Sequence, residues 1–218
     1  MKNQQGKLII TIAAILVLCC IAVGAGIYLN RLHANQPTTP SNMQVATVLP
    51  QARDIVAFSM TDNQNRTFTN NNFLGHWTFV FFGFTQCGHI CPTTMSAFSQ
   101  VYAKLKTDNI QEPQFILVSI DPARDTVAQL NQYVTAFNPK FMGIVGTQAQ
   151  TDDLTKAFNV VYLKTQPKNN APGDDIDHSG AMMLINPQGK LLAFFSMPHD
   201  PNKIASDYEN IIRFYGNN

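Results

Sequence analysis

Ten residues, Gly83-Phe-Thr-Gln-Cys-Gly-His-Ile-Cys-Pro92, constrain this chain more than any other stretch. They hold Cys87 and Cys91, the two of its four cysteines that lie outside an apolar N-terminal run. A nearly unbroken apolar segment, Thr78 to Phe84, ends there, and a helical pattern, Thr93 to Leu105, begins. A short run rich in aromatic and β-branched residues fits a strand buried on both faces. On a helix, residues i and i+4 share a face, so a helix starting near Cys87 points both sulfurs the same way. A helix N-terminus favours negative charge and hence the thiolate, the form that attacks disulfides and binds metal. Such a pair serves as a soft-metal clamp, a redox pair, or both.

The rest of the chain supplies a frame for that pair. Ile55 to Met60 and Arg66 to Phe68 read as a small hairpin around Asp62-Asn-Gln-Asn. Phe115 to Ile120 reads as a second buried strand. Asp125 or Thr126 caps a helix to about Phe137, with Val127, Leu130, Val134 and Phe137 on one face. Phe141 to Val145 is a short strand, and Thr151 opens a helix to about Phe158. Val160 to Lys164 is a strand, followed by a polar loop, Thr165 to Asp177. Ala181 to Ile185 and Leu191 to Phe195 form a closing hairpin around Asn186-Pro-Gln-Gly189, and a last helix runs from about Asn202 to Phe214. Alternating strands and helices predict an α/β fold. A strand, a dithiol at the next helix start, then a closing hairpin and helix is a thioredoxin-like layout, with a central mixed sheet flanked by helices.

Leu8 to Leu29 carries no charge over 22 residues, enough to span a hydrocarbon core as a helix. Lys2 and Lys7 precede it, and the positive-inside rule puts residues 1–7 in the cytoplasm and the remainder across the membrane. Cys19 and Cys20 read as two apolar residues within that helix. Residues 30–47, with Pro37 and Pro40 among threonines, serine and asparagines, read as a linker. Residues 48–218 then form one domain. A net charge of +1 and the lack of a dense basic patch argue against a nucleic-acid partner. The absence of an Arg- and Ser-rich transit peptide before Leu8 favours a bacterial inner membrane, with the domain in the periplasm.

Two thiolates alone leave a soft metal under-coordinated, which directs attention to the histidines. His33 lies in the linker, His76 before the first core strand, and His199 before the last helix. His89 lies between the cysteines, two residues after Cys87, and would point away from their shared face. His178 lies in Asp177-His178-Ser179, just before a strand. Met182 and Met183 fall in a strand and read as core. A loop histidine taken by itself is ordinarily solvated.

Three separated segments resemble the Sco/SenC family of membrane-anchored copper proteins that serve cytochrome c oxidase assembly. They are Gly83-Phe84-Thr85-x-Cys87-x-x-x-Cys91-Pro92, Asp121-Pro122-x-Arg124-Asp125-Thr126, and Asp177-His178-Ser179. The resemblance covers roughly residues 50 to 215. It implies a thioredoxin-like fold with copper, Cu(I) or Cu(II), held by Cys87, Cys91 and His178. It also implies the copper-bearing oxidase subunit as a partner, with another copper chaperone or a thiol reductant as further ones. The chain departs from the family where Pro-Asp commonly follows the first cysteine: here Gly88-His89 stands instead. A protonated His89 would lower the cysteine pKa values, and its imidazole would offer an extra ligand in a rearranged site; a tolerated loop substitution is the plainer reading. Asp121 and Arg124 are expected to form an ion pair or cap that orders their loop.

Copper chemistry suits this set, because thiolates select Cu(I) and an imidazole tolerates Cu(II). Closing the cysteines into a disulfide would remove two ligands and release the metal. The leading expectation is therefore a chaperone delivering copper to the oxidase's dinuclear copper centre. A thiol–disulfide reductase using Cys87 and Cys91 is the enzymatic alternative, and a copper or redox sensor a third. A thiol peroxidase fits less well, because Val80 and Phe84 occupy the positions where its Pro and Thr would stand.

Overall fold

The computed structural model describes residues 15–29, 39–164 and 176–216. The chain divides into two units, residues 1–38 and 39–218. In the first, residues 15–29 form a helix, α1, with exposed apolar side chains such as Ile15, Leu18, Ile21 and Tyr28. Among the described residues no helix is long and apolar enough to cross a membrane. The first part of the expected 8–29 span, and His33 of the linker, lie outside the described residues.

The second unit is a mixed α/β domain. Its eight-stranded sheet has the order β1-β10-β9-β4-β5-β6-β2-β3. The strands are β1 (Ala46–Arg53), β2 (Ser59–Asp62), β3 (Thr67–Thr69), β4 (Thr78–Gly83), β5 (Gln114–Ser119), β6 (Met142–Val145), β9 (Met182–Ile185) and β10 (Leu191–Phe195). β4, β5 and β6 run parallel, whereas β9 pairs antiparallel with β4, and β10 with β9. Two further strands, β7 (Tyr162–Lys164) and β8 (Ile176–His178), form a separate antiparallel ribbon. The helices are α2 (Ile90–Thr107), α3 (Val127–Phe137), α4 (Gln148–Ala157) and α5 (Pro201–Gly216). The β4–α2–β5 unit followed by the β9–β10 hairpin and α5 is the expected thioredoxin-like arrangement.

β4 is the centre of the core. All six of its residues are buried, as a run of aromatic and β-branched residues between two neighbours requires. Phe79 packs on Phe98 of α2 and Tyr208 of α5, with ring centroids 6.0 and 5.6 Å apart. Phe82 points the other way, 5.2 Å from Phe158 at the end of α4. The sheet is therefore covered on both faces. Each fully buried ring contributes about 1.5–3 kcal/mol by removal from water.

Several boundaries differ from those the sequence predicts, each for a local reason. α4 begins four residues earlier than expected. Thr147, not Thr151, is its cap: Thr147 Oγ1 accepts from the Gln150 N–H, and Gln150 Oε1 accepts from the Thr147 N–H. Such a reciprocal box satisfies two orphan donors at once. Thr126 and Gln129 do the same for α3, which frees Asp125 for another task. β1 occupies residues expected to be linker and loop. It is held at its start by Asp207 of α5, a fully buried carboxylate that accepts from the N–H groups of Gln44, Val45 and Ala46 at 2.7–3.0 Å.

The topology fixes where chemistry can occur. Met182 at the start of β9 stands opposite Phe81, near the end of β4. The loop leaving β4 and the segment entering β9 therefore meet at one end of the sheet.

Candidate metal centre

The cysteine loop leaves β4 at Gly83. A Cβ at that position would lie 2.8 Å from Cys91 Sγ and 2.8 Å from the Phe81 ring, so only glycine leaves room for the sulfur. α2 starts at Ile90, with His89 as its N-cap residue, rather than near Cys87. The two sulfurs are thus brought together by a turn onto a helix and not by a shared helical face. The Cys87 N–H donates to the Phe84 carbonyl at 3.3 Å, closing the turn. The Cys91 N–H donates to Cys87 Sγ at 3.4 Å. The sulfur of Cys87 thereby accepts from one of the orphan amides of the helix start, the place where negative charge is most favoured. Both thiols are free; Cys91 is buried and Cys87 half-buried.

The β7–β8 ribbon delivers His178 to the same place. Its Nε2 lies 3.4 Å from Cys91 Sγ and 4.0 Å from Cys87 Sγ. The three atoms all fall within 4.8 Å of one another, the one such group of His, Cys and acidic residues among the described residues. His178 Nδ1 is 3.1 Å from the Ser179 carbonyl. A carbonyl only accepts, so that contact holds the proton on Nδ1 and leaves the Nε2 lone pair facing the sulfurs. Phe81 and Phe84 flank the imidazole with centroids 5.7 and 5.9 Å away.

The two cysteines are electrostatically unequal. A hydrogen bond from the Cys91 thiol lowers the pKa of Cys87 to about 3, against the opposing effect of burial. The backbone N–H groups of Cys91 and His89 add to the lowering. Burial, and then the charge on Cys87, push Cys91 up. At neutral pH the pair therefore carries a thiolate at Cys87 and a thiol at Cys91.

Asp125 holds the loop from below. It is buried, and its carboxylate accepts from Thr85 Oγ1 and Ser119 Oγ at 2.6 Å each and from the Thr85 N–H at 3.2 Å. The ends of β4 and β5 and the start of α3 are thereby tied together. Burial raises the Asp125 pKa despite these donors. From sequence, Asp125 reads only as a cap; the polar residues Thr85 and Ser119 at the ends of two largely apolar runs are the signal of its larger role. Asp121 and Arg124 form the expected ion pair, and the Arg124 guanidinium also lies 5.8 Å over the Phe84 ring.

The other histidines and methionines singled out from the sequence lie elsewhere in the domain. His89 is exposed and outside the ligand group, although its amide supports Cys87. His76 is exposed, and His199 stands in the loop before α5 with neither ring nitrogen partnered. Met182 and Met183 are buried in β9, as core.

Comparison with known proteins places this centre in a family. The SCO1/SenC family model matches residues 47–213, which include all three grouped residues. The chain belongs to the SCO1/SenC family. It is 31% identical to the human mitochondrial SCO1 homologue over 72% of this chain and 52% of that protein. It is 30% identical to the Arabidopsis thaliana mitochondrial SCO1 homologue 1, over 72% of this chain and 47% of that protein. The chain thus spans about half the length of these curated relatives. The crystal structure of Arabidopsis thaliana ScoI with copper bound superposes with a TM-score of 0.68 at 30% identity, covering 72% of this chain and 96% of that one.

Proposed function

We propose that this SCO1/SenC protein is a copper carrier that binds one copper ion through Cys87, Cys91 and His178 and delivers it to the copper-bearing subunit of cytochrome c oxidase. The observation that carries the reading is the convergence of two thiol sulfurs and one imidazole nitrogen within 4.8 Å. The relative with copper bound supports it. The donor set fits the cargo: thiolates favour Cu(I), and the nitrogen donor extends the site to Cu(II). Three ligands leave a position open for an acceptor's ligand, which is what transfer by ligand exchange requires.

The chain's own groups prepare the site. Cys87 meets the ion already as a thiolate. Cys91 gives up its proton as the second sulfur binds. His178 presents a fixed lone pair, and the phenyl rings beside it restrict water. Copper and a Cys87–Cys91 disulfide exclude one another, because both use the same two sulfurs, so oxidation of the pair unloads the carrier. In the same reading, Leu8 to Leu29 anchors the chain in a bacterial inner membrane and holds the domain in the periplasm.

A second reading is favoured by the inequality of the thiols. A half-buried thiolate at Cys87 is the attacking group of a disulfide reductase, and buried Cys91 the resolving one. Cys87 would attack a partner disulfide to form a mixed disulfide. Cys91, losing its proton, would then displace the partner's second thiolate and leave a Cys87–Cys91 disulfide for an external thiol reductant to reset.

An anaerobic Cu(I) titration of the reduced full-length protein against a chelator of known affinity separates the two. Tight one-to-one binding that vanishes on oxidation supports the carrier. Binding no stronger than that of a Cys87→Ser, Cys91→Ser control, with retained disulfide reduction, supports the reductase.

A further inference from the structure

The histidine of the site does not belong to the eight-stranded sheet. It ends β8, half of a two-stranded ribbon. An isolated ribbon of this kind is marginally stable, so the position of His178 depends on what ties the ribbon down. On the β7 side the ties converge on α4. The Tyr162 hydroxyl donates to Asp152 Oδ1 and accepts from Gln148 Nε2 at 2.6 Å. Lys164 Nζ donates to Gln148 Oε1 at 2.9 Å. α4 is itself packed on the sheet through buried Leu154 and through Phe158 against Phe82.

The register makes this anchor specific. Tyr162 stands directly opposite His178. Residues so opposed share one face of an antiparallel pair. Tyr162 and His178 thus both face the domain, and their neighbours Leu163 and Asp177 are exposed on the other side. The Ser179 N–H donates to the Val161 carbonyl at 3.2 Å, continuing the pairing beyond the histidine.

We propose that Tyr162 is a positioning residue for His178: its hydroxyl, fixed between Asp152 and Gln148 of α4, sets the ribbon at the height that brings Nε2 to the two sulfurs. The inference rests on the reading of Cys87, Cys91 and His178 as copper ligands. It also accounts for a polar cluster that the ligand set by itself leaves without a role. The hydroxyl acts on the imidazole alone, so its loss affects a metal state that depends on nitrogen far more than one satisfied by two thiolates.

The test compares the full-length parent, Tyr162→Phe and Asp152→Asn in their reduced forms under anaerobic conditions. Cu(I) and Cu(II) affinities are measured separately by chelator competition. Outer-shell partners of a ligand histidine are worth about 10–100-fold in affinity. Tyr162→Phe is expected to lose about tenfold toward Cu(II) and to keep its Cu(I) affinity. Asp152→Asn, whose Oδ1 still accepts from the hydroxyl, is expected to lose less toward Cu(II) than Tyr162→Phe. Equal affinities in Tyr162→Phe and parent overturn the proposal. So does an equal loss toward both ions accompanied by a lower melting temperature, which marks a merely structural residue. A readout without metal separates this inference from the copper reading. In the metal-free protein labelled at histidine, nuclear Overhauser contacts from the His178 ring to Phe81 and Phe84 are expected to weaken in Tyr162→Phe. If the parent binds no copper, the copper reading fails. Unchanged ring contacts then overturn the positioning role, and weakened ones retain it.

Discussion

Cys91 Sγ and His178 Nε2 lie 3.4 Å apart, while the other nitrogen of the same imidazole is held by the Ser179 carbonyl. One ring nitrogen is committed to the backbone, so the other is presented to the sulfurs in a fixed tautomer. If that nitrogen is a ligand, His178→Ala lowers Cu(II) affinity by more than the roughly 100-fold upper range of outer-shell losses. Cu(I), served by two thiolates, is affected less. Competition titrations of both oxidation states check the split.

The unequal thiols set the proton count. Cys87 is a thiolate above about pH 3 and Cys91 remains a thiol at neutral pH. Forming the two-thiolate complex therefore releases one proton, from Cys91, throughout that window. The logarithm of Cu(I) affinity is expected to rise by about one for each unit of pH. Calorimetry in buffers of different ionisation enthalpy measures the proton directly. Release of two protons at pH 7 would mean that Cys87 is not a thiolate there.

The same inequality predicts alkylation behaviour. In the metal-free reduced protein, Cys87 is expected to react with iodoacetamide at a rate that stays nearly flat from pH 5 to pH 8, and Cys91 to react far more slowly. Mass spectrometry of the modified peptide distinguishes the sites. A rate for Cys87 that climbs tenfold per pH unit through this range would contradict the assignment.

Gly83→Ala tests the space reserved for the second sulfur. The added Cβ would stand 2.8 Å from Cys91 Sγ and 3.1 Å from Leu117 Cδ1, in a core with no slack. Overpacking of this kind costs about 1–3 kcal/mol, and the sulfur is the atom best able to move. Denaturant unfolding is expected to show that loss, with a weaker copper site in the protein that remains folded.

Asp207→Ala tests the anchoring of β1. Removing the carboxylate leaves three partly buried backbone amides without their acceptor, for a loss of about 1–3 kcal/mol. Hydrogen exchange at Val45 and Ala46 should accelerate well before the rest of the sheet. Asp207→Asn, which keeps one acceptor oxygen, should lose less.

The sequence shows the parts of this molecule whose causes are local. Thr78 to Phe84 reads as a buried strand because its composition admits little else, and β4 and β5 lie within a residue of their expected bounds. Cys87 and Cys91 stand out by spacing alone. His178 does not: no periodicity marks it, and only its resemblance to a family segment separates it from the other histidines. Its role depends on a ribbon that forms by pairing residues at the two ends of a long polar stretch. The same limit hides Asp125 and Asp207. Each is an acidic residue near or within a helix, and each works on a partner 40 or more positions away in the chain. The start of α4 is obscured for a smaller reason, a Thr-x-x-Gln box standing one turn before a second threonine.

Two sulfurs and one nitrogen, from Cys87, Cys91 and His178, converge to form the proposed copper site. X-ray absorption at the copper edge of the loaded full-length protein counts those donors directly. The expected result is two sulfur scatterers and one imidazole nitrogen for the parent, with the nitrogen lost in His178→Ala. A parent spectrum fitted by sulfur alone, or a nitrogen that persists after His178→Ala, would contradict it.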